Sequence, residues 1–286
     1  MKKIFLILAA GVGHRLARLF LRYDGGKERI MKKIFLIFAV AVALSSVAFA
    51  KPYGEKSRPD SAGDIVFADG TATAWREGLT LTDAQKKAAV AVIFYAGTEC
   101  SDNGEYRILG VGLKNATGDD NTLEWARFTS DTDKAEGYTI ITAIQCEPSD
   151  GFEGGAATTT FTGNLDGRHN WMALCAAVDD EGTVGNYPAW EWVNAYAATA
   201  NLTEDYASGW YLPTVAELCM LYRTKDTVNS ALEAAGGMKI SDTSYWSSSQ
   251  FSPNYFHAWD VRFVDGNLDF SNLCFDHSVC AVRAFN

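Results

Sequence analysis

The chain has 286 residues, of which 48% are hydrophobic and 21% charged, and its formal net charge is −10. Residues 51–286 alone carry 16 lysines and arginines against 33 aspartates and glutamates, a net charge of −17. Acidity of this size excludes nucleic acids and anionic membrane surfaces as expected partners, because both are bound through basic patches.

Residues 31–50 have the three parts of a secretory signal peptide. Lys32 and Lys33 precede an apolar run, and Ala48-Phe49-Ala50 offers a cleavage site of the small-x-small kind. The sequence therefore predicts export to the periplasm, the cell surface or the medium, with a mature chain that begins at Lys51.

Residues 1–7 repeat residues 31–37. This repeat indicates a duplicated start with Met31 as the true one; a basic amphipathic anchor over residues 14–29 is the alternative. No later apolar run reaches the ~18 residues that a membrane helix needs, so no span is expected in the mature chain. The polar, proline-containing residues 51–61 are predicted to be a linker.

Strands are predicted in the first half of the remaining chain from apolar and β-branched runs. They cover residues 64–68, 91–95, 106–113 and 138–145. Thr82 and Gln85 have the spacing of a capping box, which predicts the start of a short helix. Residues 147–187 are rich in Gly, Asp and Thr and are predicted to form a long irregular insertion.

Three helices are predicted in the middle of the chain. The first spans residues 188–199. The second begins at a capping box formed by Thr214 and Glu217, and the third ends at Gly236, where glycine can adopt the left-handed conformation.

Strands return at the C-terminal end of the sequence. They are predicted over residues 245–249, 258–264, 267–270 and 279–285, with Asp265-Gly266 as a two-residue hairpin turn. Helices between strands at both ends, without a βαβ repeat, predict one α+β domain over residues 62–286.

The strand before this hairpin alternates between two kinds of side chain. Trp259, Val261 and Phe263 share one face, while Asp260 and Arg262 share the other. The pattern predicts a strand with its aromatic face in the core and its polar face in solvent.

Residues 251–286 contain no Lys, Glu, Gln or Met, although these four types make up 27 of the 200 residues from 51 to 250. Solvated surfaces usually carry long charged side chains, so their absence from a polar segment needs a cause. Randomisation of asparagine codons at their two adenines is one such cause. Its products include Ser, Asp, Tyr, Phe, His, Cys and Arg but exclude the four missing types.

Several short motifs in this order carry a resemblance to a known family. They are Gly209-Trp210-Tyr211-Leu212-Pro213-Thr214, Glu217-Leu218, Tyr245-Trp246-Ser247-Ser248-Ser249, Gly266 and the closing Val282-Arg283-Ala284-Phe285. Residues 62–286 thereby resemble the C-type-lectin-like fold of the formylglycine-generating-enzyme type. Within it, they are most similar to the variable proteins of diversity-generating retroelements, particularly the treponemal ones.

The resemblance implies a function in ligand display. In that family, adenine-directed mutagenesis diversifies the C-terminal region, and a rigid fold holds the varied side chains for target binding. The chain departs from the family in lacking a lipid-anchor cysteine after the apolar run, which puts anchoring as a lipoprotein in doubt. The expected partner is an extracellular protein or glycan.

Side chains suited to interface anchoring are grouped in the C-terminal segment and are predicted to form one exposed, contiguous face. These ligand-binding residues are Ser252, Asn254, Tyr255, Phe256, His257, Asp260, Arg262, Asp265, Asn267, Asp269, Phe270, Ser271, Asn272, Cys274, Phe275, Asp276 and His277. The buried scaffold beneath them is predicted to comprise Trp259, Val261, Phe263, Leu268, Val279, Val282 and Phe285.

Two other functions fit the same fold. A fixed adhesin or glycan-binding lectin-like domain needs no sequence variation. An oxidase of the formylglycine-generating kind would use a cysteine pair, for which Cys274 and Cys280 are the close candidates; with His277 they also have zinc-ligand chemistry. Both cysteines lie in the segment expected to vary, so no catalytic residue, cofactor or metal is predicted.

Overall fold

The computed structural model describes residues 52–118, 121–127, 140–177, 186–252 and 256–286. The predicted signal peptide, the repeated start and Lys51 lie outside the described residues. Residues from Pro52 to Asn286 form one unit, a domain of mixed helix and antiparallel sheet. Among the helices described, none is both long and apolar enough to cross a membrane.

The strands are numbered in chain order. They are β1 (Asp64–Phe67), β2 (Ala72–Ala74), β3 (Ala89–Gly97), β4 (Arg107–Ala116), β5 (Leu123–Glu124), β6 (Cys146–Pro148), β7 (Phe161–Gly163), β8 (Trp210–Tyr211), β9 (Ser244–Gln250), β10 (His257–Arg262), β11 (Asn267–Asn272), β12 (Asp276–His277) and β13 (Val279–Ala284).

The helices lie between these strands. They are α1 (Asp83–Ala88), α2 (Gly155–Thr158), α3 (Asn170–Ala177), α4 (Pro188–Asn194), α5 (Tyr196–Thr199), α6 (Val215–Arg223) and α7 (Lys225–Ala235). Short 3-10 turns cover Thr142–Ile144, Gly167–His169 and Glu204–Tyr206.

A six-stranded sheet in the order β2-β1-β3-β4-β13-β8 forms the centre of the fold. Val92 and Phe94 of β3 pack into one buried cluster with α6 and α7, whereas Val90 and Ile93 pack into a second cluster with α4. Apolar residues bury both faces of this strand, which explains why it reads as a continuous apolar run in the sequence.

A three-stranded sheet in the order β11-β10-β9 carries the C-terminal segment. Its strand β9 is tied to the start of α6 by two hydrogen bonds. Ser248 N donates to Pro213 O at 2.7 Å, and Val215 N donates to Ser249 Oγ at 3.0 Å. The two longest sequence motifs therefore meet in space and fix the smaller sheet on the helix.

Both predicted capping boxes are confirmed. Thr82 and Gln85 begin α1, and Thr214 and Glu217 begin α6, with the reciprocal side-chain and backbone bonds present in each. The third helix, α7, ends as expected at Gly236, whose φ of 78° lies in the left-handed region. These features depend on a few neighbouring residues, so the local sequence suffices to locate them.

Three predicted elements differ from the structure. Within the described part of 138–145, the predicted strand is a 3-10 turn that buries Ile141 and Ile144. Residues 147–187 are not wholly irregular, because they hold β7, α2 and α3. The helix predicted over 188–199 is divided into α4 and α5 at Ala195.

The described residues of the predicted linker, 52–61, pack against the domain. Lys56 forms a backbone bridge with Ala72, and its Nζ lies 2.9 Å from the buried carboxylate of Asp64. Hydrogen bonds to the sheet thus order a segment whose polar composition is typical of a linker.

Candidate ligand-binding surface

The pairing register of β10 decides which side chains share a face. Trp259 is opposite Phe270 and Val261 is opposite Leu268 on β11, while Asp260 is opposite Asp269. Because cross-strand partners point to the same side and successive residues to opposite sides, the Trp259 side and the Asp260 side are separate faces.

The predicted scaffold is confirmed for six of its seven members. Trp259, Val261, Phe263, Leu268, Val279 and Val282 are all buried. Phe285 is the exception: it is partly exposed, with its ring 5.9 Å from that of Tyr206. Its prediction as a buried residue is wrong because it follows the last residue of β13, at the edge of the cluster.

Most of the predicted ligand-binding residues reach solvent. Those that are exposed are Arg262, Asp265, Asn267, Asp269, Phe275 and Asp276. Those that are half-buried are Ser252, Phe256, His257, Phe270, Ser271, Asn272, Cys274 and His277. Asn254 and Tyr255 lie outside the described residues. A role for any of them in binding stays a prediction.

These residues do not lie on a single face of the sheet, so that part of the prediction is wrong. The register places His257, Phe270 and Asn272 on the Trp259 side and Asn267 and Asp269 on the other side. Successive residues of β11 must alternate between the two faces, and the pairing with β10 shows which face each candidate residue occupies.

The hairpin loop has four residues, 263–266, and not the two that were predicted. Arg262 pairs with Asn267 across its base, and Gly266, with φ of 76°, donates its N–H to Arg262 O at 2.8 Å. Arg262 Nε also donates to Asp265 Oδ1 at 2.9 Å. The Arg262 guanidinium lowers the pKa of the Asp265 carboxyl. The exposed charges of Arg262 and Asp265, which could otherwise meet a charged ligand, are therefore paired with each other.

An aromatic cluster occupies the Trp259 side of the sheet. Phe251 and Phe270 stack with centroids 4.1 Å apart, and the Trp259 ring meets them edge-on at 5.2 and 5.8 Å. Phe152, which is 41% exposed, lies 5.5 Å from Trp259. Phe152 is not among the residues predicted from the sequence, because it belongs to the remote segment predicted to be irregular. Its only signal is that of a lone aromatic residue among Gly, Asp and Glu.

The prediction that Asp260 is exposed is wrong, because this residue is only 1% exposed. Ser271 Oγ donates to Asp260 Oδ2 at 2.7 Å, and His277 Nε2 lies 3.7 Å from the same oxygen. The His277 ring also packs on Trp246 with centroids 4.4 Å apart. Neighbouring strands thus enclose a carboxyl that the alternation pattern places in solvent. Burial raises its pKa, although His277 and Ser271 oppose the shift.

The unfolding free energy of the variant Asp260→Asn is expected to increase relative to that of the parent as the pH rises from 4 to 7. Burial raises the pKa of Asp260 in the folded state above its unfolded value of about 3.9, so the folded protein binds this proton more tightly. The parent then loses stability as the pH rises through the folded pKa, and the amide does not. Urea unfolding of both proteins at the two pH values measures the difference, in which titrating groups remote from Asp260 cancel. An identical difference at pH 4 and pH 7 would contradict the assignment.

The cysteine pair is divided between two environments. Cys280 is fully buried on β13 opposite Asn115, and burial raises the pKa of its thiol to about 12. Cys274 is half-buried, and its Sγ lies 3.2 Å from Asn272 Oδ1. All six cysteines are among the described residues, and none forms a disulfide. A protonated, solvent-free thiol at Cys280 is poorly suited to nucleophilic or redox chemistry.

The comparisons with known proteins give one structural likeness. No family model and no curated protein matches the sequence. The chain is similar to the crystal structure of a fimbrial protein from Bacteroides ovatus ATCC 8483, with a TM-score of 0.50 and 14% sequence identity over 78% of this chain. It spans 48% of that protein, about half its length. At this identity the likeness concerns the fold alone and agrees with a mixed helix and sheet domain.

Proposed function

We propose that this chain is an exported ligand-binding protein, not an enzyme, whose C-terminal residues 251–286 are diversified to bind varied macromolecular targets. The domain would belong to the C-type-lectin-like fold of the formylglycine-generating-enzyme type, with the cell envelope or medium as its location. The observation that carries the proposal is a segment in which buried Val261, Phe263 and Leu268 alternate with exposed Arg262, Asn267 and Asp269. In this segment Lys, Glu, Gln and Met are missing.

This arrangement suits target binding without a deep pocket. The core packing of the buried partners fixes the strands, so side chains on the exposed positions lose little conformational entropy when they bind. Exposed Phe275 supplies apolar contact area, and Asn267, Asp269 and Asp276 supply hydrogen-bonding groups. The exposed residues can therefore be exchanged without disturbing the core, so the fold is kept when they vary.

A display experiment tests the proposal. In a library in which Asn267, Asp269, Phe275 and Asp276 are randomised, we expect most members to fold and selection against an unrelated soluble protein to yield specific binders. These side chains are exposed, and exposed changes usually alter stability by about 0.5 kcal/mol or less. Resistance of the displayed variants to protease measures folding, and their capture of the soluble target protein measures binding.

A matched library at buried positions is the control. Randomised Trp259, Val261, Leu268 and Val279 lie in the same segment but are buried, so most members should be degraded. Equal folding yields from the two libraries, or an exposed library that folds but gives no binder, would count against a display surface.

A fixed adhesin or glycan-binding domain of the same fold is the second candidate. The likeness to a structure described as a fimbrial protein favours a role at the cell surface without requiring variation. The gene distinguishes the two. Diversification requires a nearby reverse transcriptase and a template copy of the 3′ end that differs at adenines, with a codon ending in T or C at each candidate residue. The codon test discriminates at Ser252, Arg262 and Ser271, because the other residue types have no codon ending in A or G. Codons ending in A or G at these three positions would leave the fixed adhesin.

A further inference from the structure

Residues 274–277 form a short loop between two anchor residues, Leu273 and Ser278, both of which are fully buried. Each anchor is also hydrogen-bonded to the domain. Ala126 N donates to Leu273 O at 3.0 Å, and Ser278 N donates to a carbonyl of β9 at 2.9 Å. The loop between the anchors carries Phe275, which is 55% exposed. The loop can therefore move while both of its ends stay fixed.

The ribbon formed by β5 and β12 is one contact that holds this loop against the domain. In it Asp276 is opposite Glu124, and His277 is opposite Leu123. Carboxylates directly opposite each other on paired strands repel when both are ionised. Arg127 Nε lies 3.6 Å from Glu124 Oε2, but the arginine side chain is 52% exposed, so solvent screens its attraction. The ribbon is therefore weakest when both carboxyls are ionised.

A second contact joins the loop to β9 and β10 through His277. Its ring packs on that of Trp246, and its Nε2 lies 3.7 Å from Oδ2 of the buried Asp260. Within the described residues this Nε2 has no hydrogen-bond partner. An imidazolium attracts a carboxylate at this distance, whereas a neutral imidazole leaves the buried charge without a cation. Imidazole side chains as a class lose their proton between about pH 5 and pH 8.

The other groups around Asp260 leave it easier to protonate than an ordinary carboxyl. Burial is the main cause of its raised pKa, and Asp269, opposite it on β11, adds to the rise. The charge of His277 and hydrogen bonds from serine hydroxyls of β9 and β11 oppose the rise. Arg262 also interacts with Asp260, but its guanidinium is paired with Asp265.

The second carboxyl at this loop, that of Glu124, has a pKa shifted in the same direction. Burial is the main cause and the charge of Asp276 the next, while Arg127 opposes them. Glu124 and Asp260 therefore hold a proton more tightly when the loop is closed than when it is open to solvent. Such groups stabilise the closed form at low pH, and their contribution is lost as the pH rises through the pKa of the closed form. Loss of the His277 charge acts in the same direction.

We propose that residues 274–277 are a proton-sensitive clasp, which is closed on β5 and β10 at acid pH and opens as the pH rises to neutral. The clasp carries Phe275 and Asp276, two of the candidate ligand contacts, so its opening changes the shape of the candidate surface. That consequence for binding rests on the proposed function, whereas the opening itself does not.

Nuclear magnetic resonance relaxation dispersion tests the clasp, because it measures the population of a minor open state at each backbone amide. The isotope-labelled chain is measured at pH 4.5 and at pH 7.5. We expect the open fraction of residues 274–277 to rise about tenfold between these values, since two carboxyls and one imidazole act together. The anchors Leu273 and Ser278 should show no opening at either pH.

Two double variants separate the local carboxyls from the general charge of the chain. Asp260→Asn/Glu124→Gln removes both titrating carboxyls while keeping their shape, so its open fraction should change by no more than about twofold over the same range. Glu77→Gln/Glu99→Gln removes the same formal charge from exposed positions away from the clasp and should keep the change seen in the parent.

The single variant Glu124→Gln keeps the test valid if the double variant at the clasp does not fold. Its side chain is 28% exposed, so the fold should tolerate the change, and the rise in open fraction should fall to about threefold. An open fraction that is independent of pH, or equally dependent in the parent and the clasp variants, would overturn the proposal. Opening of Leu273 and Ser278 to the same extent would also overturn it, because the whole domain would then be loosening. No ligand is used, so the clasp and the display surface can fail separately.

Discussion

Replacing Arg107 with methionine is expected to lower the free energy of unfolding by about 3–5 kcal/mol, because it leaves a buried carboxylate without its cation. Arg107 is fully buried at the start of β4, and its Nη1 lies 2.8 Å from Glu217 Oε1. Its Nη2 lies 2.8 Å from the Tyr211 hydroxyl and 2.9 Å from Asp166 Oδ1. Burial alone would lower the pKa of Arg107, but Glu217, Tyr211 and Asp166 raise it above its ordinary value, so the guanidinium stays charged.

The Arg107 cluster links the central sheet to the helix that supports the candidate surface. Glu217 also accepts the Thr214 N–H at 2.9 Å as part of the capping box of α6, and the Tyr211 hydroxyl donates to it at 2.8 Å. The Tyr-Leu-Pro-Thr-x-x-Glu part of the sequence motif therefore stabilises the fold, through the buried hydrogen bonds of Tyr211, Thr214 and Glu217. Loss of the cation should weaken both the helix start and its attachment to β4.

Two further variants separate the lost ion pair from lost packing. Arg107→Met/Glu217→Gln removes both charges while keeping an acceptor for the Thr214 N–H, so it should recover part of the stability lost in the single variant. Arg76→Met breaks the exposed pair with Glu55 and should change stability far less, because solvent screens that pair. Urea unfolding followed by circular dichroism measures all three. A single variant as stable as the parent, or a double variant less stable than the single, would contradict a buried charge as the cause.

The parts of the fold predicted from sequence are those that depend on neighbouring residues. The two capping boxes and the glycine that ends α7 need only a few positions each. Helix α3 lacks such signals: it follows a 3-10 turn and buries only Asn170 and Leu174, so its apolar periodicity is weak. The apolar run near Ile141 suggested a strand because short apolar runs fit either structure. Its buried residues, Ile141 and Ile144, have the spacing of a helical turn.

The candidate surface could be predicted along one strand but not across the sheet. The alternation along β10 correctly predicts that Trp259 and Val261 lie in the core, because this pattern depends on one strand alone. The four-residue loop pairs Val261 with Leu268, whereas a two-residue loop would have paired it with Phe270. The burial of Asp260 depends on Ser271 and His277, which later strands bring to it.

Replacing Trp259 with alanine is expected to cost about 3–5 kcal/mol of unfolding free energy, the range for large-to-small changes of a buried aromatic residue. The side chain is fully buried and is the common neighbour of Phe152, Phe251 and Phe270 in the aromatic cluster. Its loss would leave a cavity between the sheet that carries the candidate surface and the loop that carries Phe152. We expect both regions to lose order together, with hydrogen exchange accelerated in β10, β11 and residues 149–154.

The variant Trp259→Phe tests whether shape or hydrogen bonding makes this position sensitive. The indole Nε1 has no hydrogen-bond partner in the described structure, so phenylalanine removes an unsatisfied donor while keeping much of the aromatic contact. We therefore expect Trp259→Phe to cost about 1–2 kcal/mol, less than the cost of the alanine variant. Phe275→Ala, at a 55% exposed position of the same segment, should stay within about 0.5 kcal/mol of the parent. A phenylalanine variant as unstable as the alanine variant would show that the indole N–H is bonded in solution. A stable alanine variant would show that the cluster does not support the surface.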